Sequence, residues 1–127
     1  MSKVLYVDHD LERIIQIQEL LSSQHNLEVA LNGWEGLAAA MLYKPDIVLF
    51  NLNARIMDGV EAVRLLRTEE ALCQLPVLGF TLPKSEEIER IALQVGCTQI
   101  LENPFHESLS QVIAEFFSEE NLKKIQE

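Results

Sequence analysis

The sequence predicts an α/β fold of the flavodoxin-like, doubly wound kind: a five-stranded parallel sheet in the order 2-1-3-4-5, with five helices. Three observations lead there. Short apolar runs at residues 3–8 (KVLYVD), 46–52 (DIVLFNL) and 76–81 (PVLGFT) read as strands covered on both faces. Segments with helical spacing separate them, so strand and helix patterns alternate five times, as parallel strands joined by crossovers require. The runs also deliver polar side chains, Asp8, Asn51 and Thr81, to the carboxyl edge of the sheet, where such folds place their chemistry.

Each element follows from local chemistry. After the first strand, Asp10 can cap a helix whose inward positions are Leu11, Ile14, Ile15, Gln18 and Leu21. Residues 27–31 alternate like an exposed edge strand, and Asn32-Gly33 punctuates its end. Residues 34–43 form an Ala-rich helix that stops before Pro45, because a residue preceding proline disfavours the α region. The third helix covers residues 60–67, with Val60, Val63 and Leu66 inward. The fourth covers residues 85–95 and is ended by Gly96, a residue favoured just past a helix. Residues 99–102 give the fifth strand. Residues 107–117 close the domain, with Leu109, Val112, Ile113, Phe116 and Phe117 on one face. One domain is expected over residues 1–118, followed by a polar tail or linker start at 119–127.

Composition narrows the function classes. With 127 residues and 48% hydrophobic content, the chain can bury a full-sized core. No apolar run approaches membrane-spanning length, and Lys3 leads straight into a strand, so a cytoplasmic location is the expectation. The formal charge of −10 argues against binding nucleic acid directly. Cys73 and Cys97 have no metal-ligand spacing and read as free thiols. No glycine-rich phosphate loop appears, which disfavours a nucleotide enzyme or flavin carrier.

The stretch PDIVLFNLNARIMDG at residues 45–59, with Asp8-His9 after the first strand, Thr81 after the fourth and Asn103-Pro104 after the fifth, resembles the receiver domain of two-component response regulators. The resemblance spans residues 3–117. It implies a phosphorylation site built from an acidic pair that holds Mg²⁺, a phospho-accepting Asp, a hydroxyl, a lysine and a switch aromatic. Here the acidic pair reads Asp8-His9, the acceptor position holds Asn51, the hydroxyl is Thr81, the lysine position holds Asn103 and the switch position holds Ile100. An amide is not a competent nucleophile for an acyl phosphate. A hard cation wants several carboxylate oxygens, so Asp8 with a carbonyl from Asn51 makes at most a weak Mg²⁺ site. The site is thus a degenerate phosphorylation site with no catalytic residue and no resident cofactor. The resemblance further implies that the Asn103–Pro104 bond is cis.

Three functions follow for comparison. The first is a phosphorylation-independent pseudo-receiver: a non-enzymatic protein-interaction module of signal transduction. It would meet a signalling protein, its own effector domain or a second copy through the face of the fourth helix, fifth strand and fifth helix. That face includes Lys84, Glu86, Glu87, Glu89, Arg90, Gln94 and Gln99. The second is a phosphoryl-accepting regulator using Asp58 or Asp8. The third is a small-molecule sensor using a polar pocket of Asp8, His9, Asn51, Asn53, Thr81 and Asn103. Trp34 is read as packing or as a surface anchor.

Overall fold

A computed structural model describes residues 2–53 and 58–126, with side chains described as far as residue 117. The elements alternate from β1 (Ser2–Val7), α1 (Leu11–Leu21), β2 (His25–Ala30), α2 (Gly33–Tyr43) and β3 (Ile47–Asn51) to α3 (Gly59–Thr68), β4 (Val77–Phe80), α4 (Glu86–Val95), β5 (Gln99–Ile100) and α5 (Leu109–Gln126). All strand pairs are parallel and the sheet order is β2-β1-β3-β4-β5, as the sequence predicts. A short 3₁₀ turn at Glu70–Leu72 links α3 to β4 and was not expected.

Strand alternation divides the core into two layers. Leu5, Val7, Val48 and Phe50 face α2, α3 and α4 and pack with Ala62, Val63, Leu66 and Ala92. Val4, Tyr6, Ile47, Leu49, Leu78 and Phe80 face α1 and α5 and pack with Ile14, Ile17, Leu21, Leu109 and Ile113. His25 is buried on this second side, where its Nε2 lies 3.0 Å from Ser110 Oγ and ties β2 to α5.

Helix starts follow the capping rules. Asp10, Asn32, Asp58 and Ser85 cap α1 to α4, each accepting a hydrogen bond from the backbone three residues on. One expectation fails in detail. In α1 the buried residues are Ile14, Ile17 and Leu21, whereas Leu11 and Ile15 are exposed. The i, i+3, i+7 stripe, not the i, i+4 one, meets the sheet. The last helix runs on to Gln126. In addition, Met57 of the Met-Asp-Gly motif lies outside the described residues.

Gly59 fixes how α3 closes over the end of β3. Its N–H donates to Leu52 O at 3.1 Å. A Cβ there would lie 2.8 Å from the Leu52 carbonyl oxygen and 2.9 Å from its carbon. Rigid backbone cannot yield as a flexible side chain could. Gly59→Ala is therefore expected to lower stability by at least about 2 kcal/mol, read as a drop in the urea midpoint at unchanged m-value. An unchanged midpoint would show that α3 can slide off Leu52 at no cost.

Candidate functional site

Asp8 follows β1 directly, and the period of the strand decides where it points. Tyr6 faces the α1 and α5 side, so Asp8, two residues on, faces the same way toward the start of α1. Its carboxylate is fully buried and heavily engaged. Oδ2 accepts from Tyr6 Oη at 2.5 Å and from Arg13 Nε at 2.8 Å. Oδ1 accepts from Arg13 Nη2 at 3.0 Å, Asn51 Nδ2 at 3.0 Å and the Asp10 backbone N–H at 3.2 Å. The Arg13 guanidinium thus grips both oxygens as a planar fork. Burial alone would raise the Asp8 pKa, but the hydrogen bonds from Arg13, Tyr6, Asn51 and the Asp10 amide outweigh it and hold the carboxyl at about 2. Burial first, and the adjoining carboxylate second, push the Tyr6 phenol far above its ordinary range.

Asn51 ends β3 on the same side of the sheet, two residues after Leu49. Its amide is used at both ends: Nδ2 donates to Asp8 and Oδ1 accepts from the Asn53 backbone N–H at 3.0 Å. Asn53 in turn donates from Nδ2 to Pro83 O at 3.1 Å. His9 Nδ1 sits 3.7 Å from Asp8 Oδ1 and has no hydrogen-bond partner.

Thr81 belongs to a different set of contacts. Phe80 faces α1 and α5, so the next residue turns to the opposite side, toward α4. Its hydroxyl donates to Glu89 Oε2 at 2.6 Å and accepts from the Ser85 N–H at 2.8 Å. Lys84 Nζ holds the same Glu89 carboxylate, 3.1 Å from Oε1. Among the described residues no hydrogen bond joins Thr81 to Asp8 or Asn51. Asn103 is exposed and turns its own loop, Oδ1 accepting from the Phe105 N–H at 3.0 Å. The expected cis bond at Asn103–Pro104 is absent; the cis bond among the described residues is Leu82–Pro83. The Asn103 turn and Phe105, packed edge-on against Phe80 at 5.5 Å between centroids, shape this loop instead. Ile100 is half-buried against the α2–α4 side of the core.

Sequence reasoning therefore found Asp8, His9 and Asn51 as neighbours, but it missed Tyr6, Arg13 and Glu89. A signal was available for the first two. The spacing Tyr6-x-Asp8 puts both on one face, and Arg13 lies one helical turn past the cap at Asp10. Asn103 brings no charge to the site, and Arg13 places a cation against Asp8 from α1. The donor set does not fit a divalent ion. Asp8 already receives five hydrogen bonds, the Asn51 carbonyl is taken, and no group of three His, Cys, Asp or Glu among the described residues could hold a metal. A groove of about 610 Å³ lies between β2 and α2, lined by Val29, Leu31, Ala38 and Leu42 among others, and one of about 440 Å³ lies between α2 and the 3₁₀ turn. Trp34 stands on the outer surface of α2 with 57% of its area exposed.

The Asp8 contacts make a pH prediction. A carboxyl whose folded pKa is about 2 against an ordinary 3.8 stabilises the fold above pH 4, and that contribution falls away as the pH drops toward 2. Between pH 5 and pH 3 the loss is roughly 1 kcal/mol. Urea denaturation of the native chain and Asp8→Asn at both pH values should show the native chain losing that much more. Parallel losses would mean that Asp8 is not held ionised by its neighbours.

Comparison with known proteins bears on the same residues. The chain is 33% identical over 129 aligned positions to a probable transcriptional regulator, ycf29, of Porphyra purpurea, covering 95% of this chain and 61% of that protein. It thus spans less than two thirds of that relative's length. The fold matches the chemotaxis response regulator CheY4 of Vibrio cholerae at a TM-score of 0.80, with 28% identity over 91% of this chain and 97% of the other. It also matches the receiver domain of the Pseudomonas aeruginosa sensor histidine kinase PA1611, described with a magnesium ion coordinated in its active-site cleft, at a TM-score of 0.79 and 22% identity, covering 88% and 93% of the two chains. This last likeness concerns the fold alone. The family model of the response regulator receiver domain matches residues 4–115, nearly the whole two-layered sheet described above, and the chain belongs to that family.

Proposed function

We propose that this receiver acts as a phosphorylation-independent pseudo-receiver, a non-enzymatic protein-interaction module of signal transduction. The observation that carries the reading is Asn51. It stands at the end of the central strand with both amide atoms hydrogen-bonded, and it has no lone pair suited to attacking a phosphoryl group. The nearby acids do not replace it. Asp58 caps α3 by accepting from the Glu61 N–H at 2.8 Å, and Asp8 is buried beneath Arg13. Asn103 is turned outward, Thr81 is committed to Glu89 and Arg13 to Asp8, so these three described groups are engaged elsewhere than on a developing phosphoryl charge. A sensor role through the strand ends is less well supported, because Asp8, Asn51 and Thr81 are buried with their polar atoms already engaged by protein partners.

In this reading the output is a protein contact. The partner is a signalling protein or an effector domain of the same chain, and the face of α4, β5 and α5 is the expected surface. It carries the Lys84–Glu89 pair and exposed Glu86, Glu87 and Arg90, a mix of signs that can set the register of a partner. The domain is taken as residues 1–118, with the remainder of α5 leading away from it. The acidic surface turns nucleic acid away, and the working place is the cytoplasm.

Intact-mass spectrometry after incubation with acetyl phosphate and Mg²⁺ is the test. No phosphate adduct is expected on the native chain, and Asn51→Asp alone should acquire only a trace, because His9 and Asn103 remain. A stoichiometric, hydroxylamine-sensitive adduct on the native chain would sink the reading.

A further inference from the structure

We propose that Arg13 is the resident cation of this site: its guanidinium occupies the face of Asp8 that a divalent ion would need, and so closes the site to metal. The inference rests on the reading of the site as one that takes up no phosphoryl group, and it assigns the charge balance of that site.

The hydrogen-bond count is the first argument. An ionised carboxylate offers roughly four lone-pair positions. Asp8 receives five donors: two from Arg13 and one each from Tyr6, Asn51 and the Asp10 amide. A cation can bind only by displacing one of them. Arg13 is the one whose removal would open a position on both oxygens, because it spans them at 2.8 and 3.0 Å.

The second argument is how Arg13 is held. Its backbone N–H donates to the Asp10 side chain at 3.1 Å, so the cap that starts α1 also fixes where the side chain departs. Nη1 lies 3.6 Å from the Asp10 carboxylate. The side chain is 18% exposed and the Asp8 side chain is fully buried, so the pair is shielded from competing water and salt. A guanidinium stays charged across the physiological range. Arg13 offsets the Asp8 charge directly and leans on Asp10 at its outer edge, so a divalent ion approaching Asp8 would be opposed by a fixed positive charge in contact with both Asp8 oxygens.

The third argument is complementarity of losses. The second acid of the first loop is His9, and the position after β5 that the resemblance assigns to lysine is Asn103, turned away into its own loop. Among the described residues, the cation that meets Asp8 comes from α1, as Arg13, and not from the β5 edge.

The test uses Mn²⁺ alone, with no phosphoryl donor, followed by paramagnetic broadening of backbone amides on the full chain. The native chain is expected to show no saturable broadening near Asp8 and Asn51 up to about 5 mM, far above where a multi-carboxylate site fills. Arg13→Met keeps the aliphatic stem and its packing but removes the charge. It should show broadening confined to the amides around Asp8, His9 and Asn51, with at least tenfold tighter binding. Arg13→Lys, which keeps the charge without the fork, should refuse Mn²⁺ as the native chain does. Saturable binding by the native chain overturns the proposal without any variant, and so does a folded Arg13→Met that still excludes the ion. Neither result bears on whether Asn51 blocks phosphorylation, which the adduct measurement decides separately.

Discussion

A buried carboxylate at the carboxyl edge of a parallel sheet must be compensated, and the rest of this site is arranged around that requirement. An ionised Asp8 without partners would carry a desolvation cost of several kcal/mol. The compensation comes from three elements at once: Tyr6 below it on the same strand, Arg13 and the Asp10 amide at the start of α1, and Asn51 from the central strand. Because one side chain takes hydrogen bonds from all three, the strand-end loops are pinned to one another. The cap of α1 and the fork on Asp8 form one unit, since Asp10 holds the Arg13 backbone while Arg13 holds Asp8.

The scaffold below tolerates these substitutions because it depends on none of them. Tyr6 and Phe80 lie with parallel rings 6.4 Å apart, and Phe105 meets Phe80 edge-on, giving an aromatic column under the site that links β1, β4 and the loop after β5. On the other side Gly59 lets α3 seat directly on the Leu52 backbone. Apolar burial and backbone contact hold the strand ends in place whether the acceptor position is Asp or Asn. At this edge Asp8 and Asn51 are held in a closed set of hydrogen bonds.

Strand order, helix positions and the Asp10 cap were legible in the sequence, and the caps at Asn32, Asp58 and Ser85 use the residue types that capping favours, because apolar runs and capping chemistry are local. The neighbourhood of Asp8, His9 and Asn51 was legible too, since strand ends fix it. Arg13 was not. A charged residue at the third position of an amphipathic helix normally reads as solvent-facing, and only the three-dimensional angle between β1 and α1 turns it back onto Asp8. The α1 face was misjudged for a related reason: Leu11 and Ile15 fit a helical period but lie off the Ile14–Ile17–Leu21 stripe that touches the sheet. The Asn103–Pro104 bond could not be settled by proline chemistry alone, because X-Pro isomers differ by only about 0.5–1 kcal/mol and loop packing decides.

The direction of Thr81 has the largest consequence for signalling. A switch needs an element with two populated arrangements and a ligand that favours one of them. In this chain the strand-end residues fall into two separate hydrogen-bonded groups, Asp8 with Tyr6, Arg13 and Asn51 on the α1 side, and Thr81 with Glu89, Lys84 and Ser85 on the α4 side. Among the described residues the side-chain bridge between the two loops is Asn53, whose Nδ2 donates to Pro83 O while its backbone N–H donates to Asn51. Ile100 on β5 presents a half-buried aliphatic group against the core where a polar-tipped ring could have stood. Charge compensation within each group stabilises the arrangement of its own loop, Asp8 by Arg13 on one side and Glu89 by Lys84 on the other.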